Sequence, residues 1–288
     1  MYAAFVAVLS VVIATSIPRN HLQSLVRSAG GRAAAAAAVP TPSTTTTSTT
    51  TTDPDRGMPR LLPTTAEPLR VLEIGDSLGI DLGDQLQSQL DAAGLSSTTM
   101  ASLGDTGLAN VSYYDWPAHL ATLLLDDRPQ LLVVFVGAND DQGLYVDGAA
   151  AAPGTPQWLA GYRQRVDSIL REATGAGVRV VWVGMPPMAD AALNAAIEVQ
   201  NEIYQQETAA FAGTLYVSST AVLGNAAGQY QGTAVDGAGD AVTWRTADGV
   251  HLTPAGAALL AGRVIDAIDQ RWHLALTPRS TWPSGGGR

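Results

Sequence analysis

The chain has 288 residues, a formal net charge of −10 and 46% hydrophobic residues, enough apolar material for one domain with extensions or for two small domains. All of its basic residues are arginines and none of them forms a block, so a phosphate backbone finds no basic stripe to neutralise and nucleic acid is excluded as a partner. The absence of cysteine excludes disulfides, cysteine nucleophiles and thiolate metal sites, and leaves the compartment open.

The first segment, Tyr2 to Ile17, is apolar and uncharged and closes at Pro18-Arg19, a length between a signal-peptide core and a short membrane span. Basic residues are missing before it, while Arg19, Arg27 and Arg32 come after it, the reverse of the asymmetry expected for an exported domain. Two readings fit: a misassigned start that has lost a basic leader, or a buried helix. The first agrees better with the composition of the neighbouring stretch. Arg32 to Val39 is an alanine run, Thr41 to Thr52 holds only Thr, Ser and Pro, and Asp53 to Pro68 is rich in proline with scattered charge. Such composition buries too little apolar surface to offset its conformational entropy, so a disordered tether is expected over residues 19–69. An apolar anchor over residues 1–18, a stalk and a globular domain make the layout of a protein held outside a membrane, touching it through the first segment only. A cytoplasmic protein with a disordered tail is the competing layout.

From Arg70 apolar runs alternate with helical patterns. Val71 to Ile74 reads as a strand, Leu78 to Ala93 as a helix stopped by Gly94, Ser97 to Ser102 as a second strand and Trp116 to Leu125 as a helix. Leu131 to Val136 reads as a strongly apolar strand, Pro156 to Thr174 as a long helix, Val178 to Val183 as a strand, Ala191 to Phe211 as a helix, Leu215 to Ser218 as a strand and Pro254 to Trp272 as the closing helix. Continuous apolar strands separated by helices indicate a parallel sheet covered on both faces, a three-layer α/β/α domain over residues 70–272 followed by a flexible tail over 273–288. The insert Gln142 to Thr155, rich in Ala and Gly, is expected to be a mobile cover.

In such sheets ligands sit at the carboxyl ends of the strands. The first strand ends in Gly75-Asp76-Ser77-Leu78, the third in Gly137-Ala138-Asn139-Asp140 and the fourth in Gly184-Met185-Pro186-Pro187. The first turn lacks G-x-G-x-x-G, which disfavours a dinucleotide. Ser77 stands where a strand gives way to a helix, beside N–H groups that favour developing negative charge, a place suited to a nucleophile; Asp76 or Ser77 as a plain helix cap is the other reading. A serine nucleophile needs a base, commonly a histidine held by a third group. His21 lies in the tether, His119 in an apolar helix pattern and His273 at a frayed helix end, whereas His251 sits in a loop whose exit is set by Thr253 as cap and Pro254 at the first helical position. Asp248, three residues earlier across Gly249, can reach the other imidazole nitrogen. Asn139 can offer its amide to an oxyanion, with the Ser77 N–H and a glycine of Gly104-Asp105-Thr106-Gly107 as further donors.

Gly75-Asp76-Ser77-Leu78, a glycine after the second strand, Gly137-Ala138-Asn139-Asp140 and Asp248-Gly249-Val250-His251 resemble, in order, the four blocks of the SGNH (GDSL) hydrolase superfamily over roughly residues 70–269. The resemblance implies a flavodoxin-like five-stranded parallel sheet and ester chemistry without metal or cofactor. It implies Ser77 as nucleophile, Asp248 and His251 completing a triad, and Ser77, Asn139 and a glycine N–H as oxyanion donors. Thr106-Gly107-Leu108 followed by Asp115-Trp116 looks like a bacterial cell-envelope branch, which favours Gly107 over Gly104; Gln142 and Gly184-Met185-Pro186-Pro187 fit that branch too. The expected substrate is an acylated small molecule or glycan, with Asp76, Gln142, Trp116 and Tyr145 expected to contact it. Tyr113, Tyr114 and Trp158 stand near the same strand ends, where aromatic rings either stack on sugar or simply pack. Hydrolysis and transfer of the acyl group to a saccharide hydroxyl use the same residues, and a silent binding module is the rival from another class. The oligomeric state stays open.

Overall fold

The computed structural model describes residues 55–276, apart from 93 and 236–238; the anchor, most of the tether and most of the tail lie outside the described residues. The chain runs β1 (Leu69–Gly75), α1 (Ser77–Asp91), β2 (Ser96–Met100), α2 (Trp116–Asp127), β3 (Leu131–Phe135), β4 (Leu144–Val146), β5 (Ala149–Ala151) and α3 (Pro156–Gly175). It continues with β6 (Arg179–Val183), α4 (Ala191–Ala209), β7 (Thr214–Val217), α5 (Thr220–Leu223), β8 (Thr233–Val235), β9 (Ala241–Thr243) and α6 (Pro254–Trp272).

The continuous apolar runs are strands buried on both faces. All residues of β3 and β6 are closed from solvent, as expected where helices cover both sides of a parallel sheet. Five strands pair in parallel in the order β2-β1-β3-β6-β7, with Val71 opposite Leu131 and Gly75 opposite Phe135 at the centre. Helix α1 packs on α6, and α3 packs on both α2 and α4, forming the two helical layers. The order steps outward in both directions from β1 and β3, so the crevice between their carboxyl ends is the switch point where such sheets take ligands. The helices start on side-chain caps: Asp76, Asp115, Thr155, Asp190 and Thr253 each accept a backbone N–H from the first turn of α1, α2, α3, α4 and α6.

Strand β3 stops at Phe135, one residue short of the expected end, because Gly137 takes φ +142° and turns the chain toward the site. The insert after β3 is not a loose cover. It folds as the antiparallel hairpin β4–β5, whose Leu144 and Val146 fill the space left by Gly161 on α3, where a Cβ would clash with both. The indole N–H of Trp158 donates to Gln142 O at 2.8 Å and fastens its start. A second hairpin, β8–β9, leads into the His251 loop; neither hairpin shows the long apolar alternation by which strands are recognised.

Residues 55–68, assigned to the tether by composition, pack on the domain. Asp55 accepts both Nη groups of Arg271 at 2.7 and 2.8 Å and the indole N–H of Trp272 at 3.2 Å, Arg179 donates to Pro59 O, and Leu61 is buried. A proline-rich segment with little apolar surface is held here by ionic and backbone hydrogen bonds. The first residues of the expected tail are held likewise, with Leu276 buried and its N–H donating to Asp269. Among the described residues no helix is long and apolar enough to cross a membrane.

Candidate active site

The site is assembled at the carboxyl ends of β1 and β3. At Gly75 a Cβ would run into Phe135 O, so only glycine lets β1 end this close to β3. Asp76 follows as the cap of α1, its Oδ1 accepting Leu78 N–H at 2.9 Å, and its Oδ2 accepts the N–H groups of Gly137 and Ala138 at 2.9 and 2.8 Å. Burial raises its pKa to about 6 against the pull of these donors. The two readings are therefore divided between two neighbours: Asp76 caps the helix start, and Ser77 becomes the first helical residue, partly exposed.

Ser77 Oγ lies 2.9 Å from His251 Nε2, and His251 Nδ1 lies 2.7 Å from Asp248 Oδ2. The other oxygen, Asp248 Oδ1, accepts from Thr246 Oγ1 at 2.6 Å, Val250 N–H at 2.8 Å and His251 N–H at 3.1 Å. The Thr246 hydroxyl, the imidazole and these amides hold the carboxyl well below the usual carboxylate range, so it stays an acceptor and keeps the proton of the ring on Nδ1. Asp248 and His251 are close to half-exposed. Gly249 between them takes φ +73°, and a Cβ there would strike Ala189, so the tight turn needs glycine on both counts.

Asn139 is brought to the same rim. Its Nδ2 donates one hydrogen to Thr106 O at 2.8 Å, which ties the turn after β3 to the loop after β2 and leaves the second hydrogen unspent. Asp140 stitches the same two loops from beneath, accepting Leu108 N–H at 2.8 Å and Ala109 N–H at 2.7 Å. It also accepts the Tyr162 hydroxyl at 2.8 Å, and Tyr162 meets Tyr204 at 2.6 Å. Burial pushes the Asp140 carboxyl up, and burial raises both phenols well above their usual value. Gly107 has to be glycine because a Cβ would run into the Asp140 carboxylate, whereas the nearest atom to a Cβ on Gly104 is Ile80 Cδ1 at 3.9 Å.

Two residues expected to contact substrate do not face it. Asp76 and Trp116 are both fully buried; the first is spent on backbone N–H groups, and the indole N–H of the second donates to Thr106 Oγ1 at 3.1 Å beneath the loop. Gln142 is exposed and donates to Asn139 O at 2.6 Å. Tyr145 and Tyr113 are the open aromatic faces at this rim, 71% and 61% exposed, while Trp158 is buried. His119 of α2 packs its ring against that of Tyr114, tilted by 58° with centroids 5.0 Å apart, and His273 ends α6 in a left-handed conformation; His21 lies outside the described residues. Among the described residues no three His, Asp or Glu side chains are grouped to hold a metal ion. Asp81 and Arg245, which sequence reasoning missed, hold the His251 loop: Asp81 Oδ2 accepts Leu252 N–H at 2.9 Å, and Arg245 donates to Val250 O at 2.6 Å. The signal for Asp81 is its place one helical turn after Ser77; a lone arginine between Trp244 and Thr246 carries none.

A family model described as "Protein of unknown function (DUF459)" matches residues 70–267. No curated protein matches the chain. Among solved structures, one described as a lipolytic protein of the G-D-S-L family from Desulfitobacterium hafniense superposes with a TM-score of 0.50 at 15% identity, covering 69% of this chain and 98% of that one. The crystal structure of TesA gives 0.49 at 22% identity, over 70% of this chain and 99% of that one. The five-stranded parallel sheet with helices on both sides is the SGNH hydrolase fold.

Proposed function

The chain belongs to the DUF459 family, and from that premise we propose that it is a serine-dependent hydrolase of O-acyl esters. The observation that carries the reading is the unbroken line Ser77 Oγ, His251 Nε2, His251 Nδ1, Asp248 Oδ2, with gaps of 2.9 and 2.7 Å on either side of the ring. In the first step Ser77 Oγ forms a bond to the ester carbonyl carbon while its proton passes to His251 Nε2; the tetrahedral adduct then expels the alcohol, which takes that proton, and an acyl-Ser77 remains. In the second step water gives a proton to His251 and attacks the acyl carbon, and Ser77 leaves with the proton returned. Asp248 holds the ring in the productive tautomer and stabilises the imidazolium.

The negative charge that develops on the carbonyl oxygen is met by the Ser77 N–H, the second hydrogen of Asn139 Nδ2 and a glycine N–H. Gly104 fits that last part better than Gly107. The glycine at 107 is already explained by Asp140, whereas the open flank of Gly104 leaves the backbone free for close approach. His251 is 38% exposed, so water reaches the base directly, which favours hydrolysis over transfer to a sugar. The apolar first segment and the Thr/Ser/Pro stretch support a place outside the cytoplasmic membrane. Acetylated glycans or lipids of a cell envelope are the substrates available there, with the exposed Tyr113 and Tyr145 beside the site.

The deciding experiment compares wild type with Ser77→Ala on p-nitrophenyl acetate and with a fluorophosphonate probe. Wild type is expected to turn over and to be labelled on Ser77, and the variant to lose at least about 10³-fold in rate and all labelling. Wild-type protein that is neither active nor labelled is a silent binding module, and a variant at the wild-type rate ends the proposal.

A further inference from the structure

Arg245 is only 2% exposed, yet no carboxylate lies within ion-pairing distance of it among the described residues. Its partners are three carbonyl oxygens and a thioether: Nη1 donates to Pro187 O at 2.6 Å, and Nη2 donates to Val250 O at 2.6 Å, to Gly249 O at 3.3 Å and to Met188 Sδ at 3.3 Å. The guanidinium plane lies over the Tyr230 ring, 5.3 Å from its centroid, and Nε has no partner. A cation taken out of water without a counter-ion is expensive, and burial lowers the pKa of this arginine against the pull of Tyr230, Asp248 and Asp81. A neutral side chain could tie two loops together at less cost. What a guanidinium adds is a rigid planar fork that fixes several acceptors at once.

One of those carbonyls, on Pro187, lies in the loop after β6, and the other two belong to Gly249 and Val250, the residues immediately before His251. The residue immediately after it, Leu252, is held from the opposite side by Asp81, which stands on α1 one turn beyond Ser77. His251 is thus bracketed, with its upstream neighbours fastened to the loop after β6 and its downstream neighbour fastened to the helix that carries Ser77. The loop's own turn, Gly249 N–H to Thr246 O at 3.1 Å and Thr246 N–H to His251 O at 2.9 Å, fixes its shape but not its distance from α1. We infer that Arg245 and Asp81 are positioning residues that keep the His251 imidazole within hydrogen-bond reach of the Ser77 hydroxyl. This inference rests on the serine-hydrolase reading for its consequence in rate and on geometry alone for the placement of the ring.

The test uses the full chain with Arg245→Met, Arg245→Lys, Asp81→Ala and Asp81→Asn, and reads two things. The first is kcat and KM on p-nitrophenyl acetate. Loss of alignment by a fraction of an ångström is expected to lower kcat about ten- to hundredfold in Arg245→Met and about fivefold in Asp81→Ala with KM nearly unchanged. Arg245→Lys and Asp81→Asn, which keep a donor and an acceptor respectively, are expected to recover most of those losses. The second is the low-field proton resonance of the His251 Nδ1–H bonded to Asp248, expected to be sharp in wild type and broadened in Arg245→Met and Asp81→Ala. Should Arg245→Met fail to melt cooperatively, the Asp81 pair decides: Asp81→Asn recovering what Asp81→Ala loses supports the inference, and equal behaviour of the two overturns it. Rates within twofold of wild type in both truncations overturn it as well. If wild type shows no turnover, the esterase reading fails, and the resonance alone decides: unchanged in every variant, it removes the bracket.

Discussion

The two ends of the parallel sheet are held by opposite charges. At the carboxyl end, where the site lies, the loops hang on carboxylates: Asp76, Asp140, Asp81 and Asp248 all accept backbone N–H groups. At the amino end guanidinium groups do much of this work, with Arg70 donating to Arg128 O at 2.7 Å, Arg179 to Pro59 O and Arg271 to Asp55, beside Asp91 and Asp269, which accept Thr98 N–H and Leu276 N–H. The physical reason is the direction of the peptide dipoles. Strand carboxyl ends feed helix starts, which present N–H groups and favour anions, while helix ends present carbonyls and favour cations. The difference teaches where an oxyanion would go. Resident carboxylates take the N–H groups of Leu78, Leu108, Ala109, Gly137 and Ala138, whereas among the described residues those of Ser77, Gly104 and Gly107 find no acceptor. Arg165, which donates to Leu108 O and Ala109 O, and Arg245 are the exceptions, cations at the anion-favouring end, and Arg245 sits against the loop that presents the carbonyls of Gly249 and Val250 inward.

The comparison breaks most visibly at Asp140. Replacing it with alanine strands two buried N–H groups, each costing about 1–3 kcal/mol, and leaves the Tyr162 hydroxyl with Tyr204 alone, so a loss of roughly 3–5 kcal/mol is expected in urea denaturation. Arg70→Ala at the other end removes a bond to one exposed carbonyl and is expected to cost less than about 1 kcal/mol. Equal losses would show that the two ends are not held differently.

Glu73 sharpens the comparison, because it is a carboxyl at the site end with no N–H to accept. It lies fully buried under α1, where Gly79 and Gly83 make room for it, accepts the Ser102 hydroxyl at 2.7 Å and leaves Oε2 without a partner. Burial, aided by Asp76 and Asp84, raises its pKa from 4.5 to about 8. Between those values the folded chain keeps a proton that the unfolded chain has released. Stability therefore falls as pH rises through this window and levels off above it, by an amount on the order of a few kcal/mol. Glu73→Gln carries no such proton. Melting curves are expected to show the variant gaining on wild type steadily from pH 5 to pH 8, and a constant difference would rule out a neutral Glu73.

At the amino end, Arg271→Ala removes the ion pair that ties Asp55 to α6, while the Trp272 indole N–H still donates to that carboxylate. The pair is bidentate and only about a fifth exposed, so its loss is expected to cost about 1–2 kcal/mol. Because Asp55 lies at the far end of the sheet, ester turnover should be unmoved. A fall in kcat would mean that the two ends are coupled.

The parts of this architecture that can be read in the sequence are those where chemistry or backbone geometry demands a residue type at a fixed place. Gly75-Asp76-Ser77 and Asn139 stand at the ends of apolar runs, and the Asp248 to His251 loop stands just before Thr253-Pro254, which marks the first turn of α6 where it occurs. What depends on which side chains end up closed from water cannot be read this way. Asp76 and Trp116 sit beside the site in sequence and beneath it in space, and Glu73 interrupts an apolar strand without announcing a buried acid. The hairpin of Leu144 to Ala151 is hidden for another reason. Its strands are short and alanine-rich, and its seat is created by the absence of a side chain at Gly161, a residue on a different element.

The smallest effect expected concerns the open face of the rim. Tyr113 and Tyr145 are held through backbone contacts, Tyr113 N–H to Asn110 and Tyr145 O from Arg165, so their rings contribute little to packing. Replacing either with alanine should leave the denaturation midpoint within about 0.5 kcal/mol of wild type. If the rings form a platform for a sugar, each loss should raise KM for an acetylated oligosaccharide, with stacking worth about 0.5–1.5 kcal/mol and hence a two- to tenfold change. An unchanged KM in both variants would leave the acidic, carboxylate-held rim without an aromatic platform and would move the search for the alcohol half of the substrate to the Ile80 and Leu103 side of Ser77, where two large apolar side chains also stand exposed.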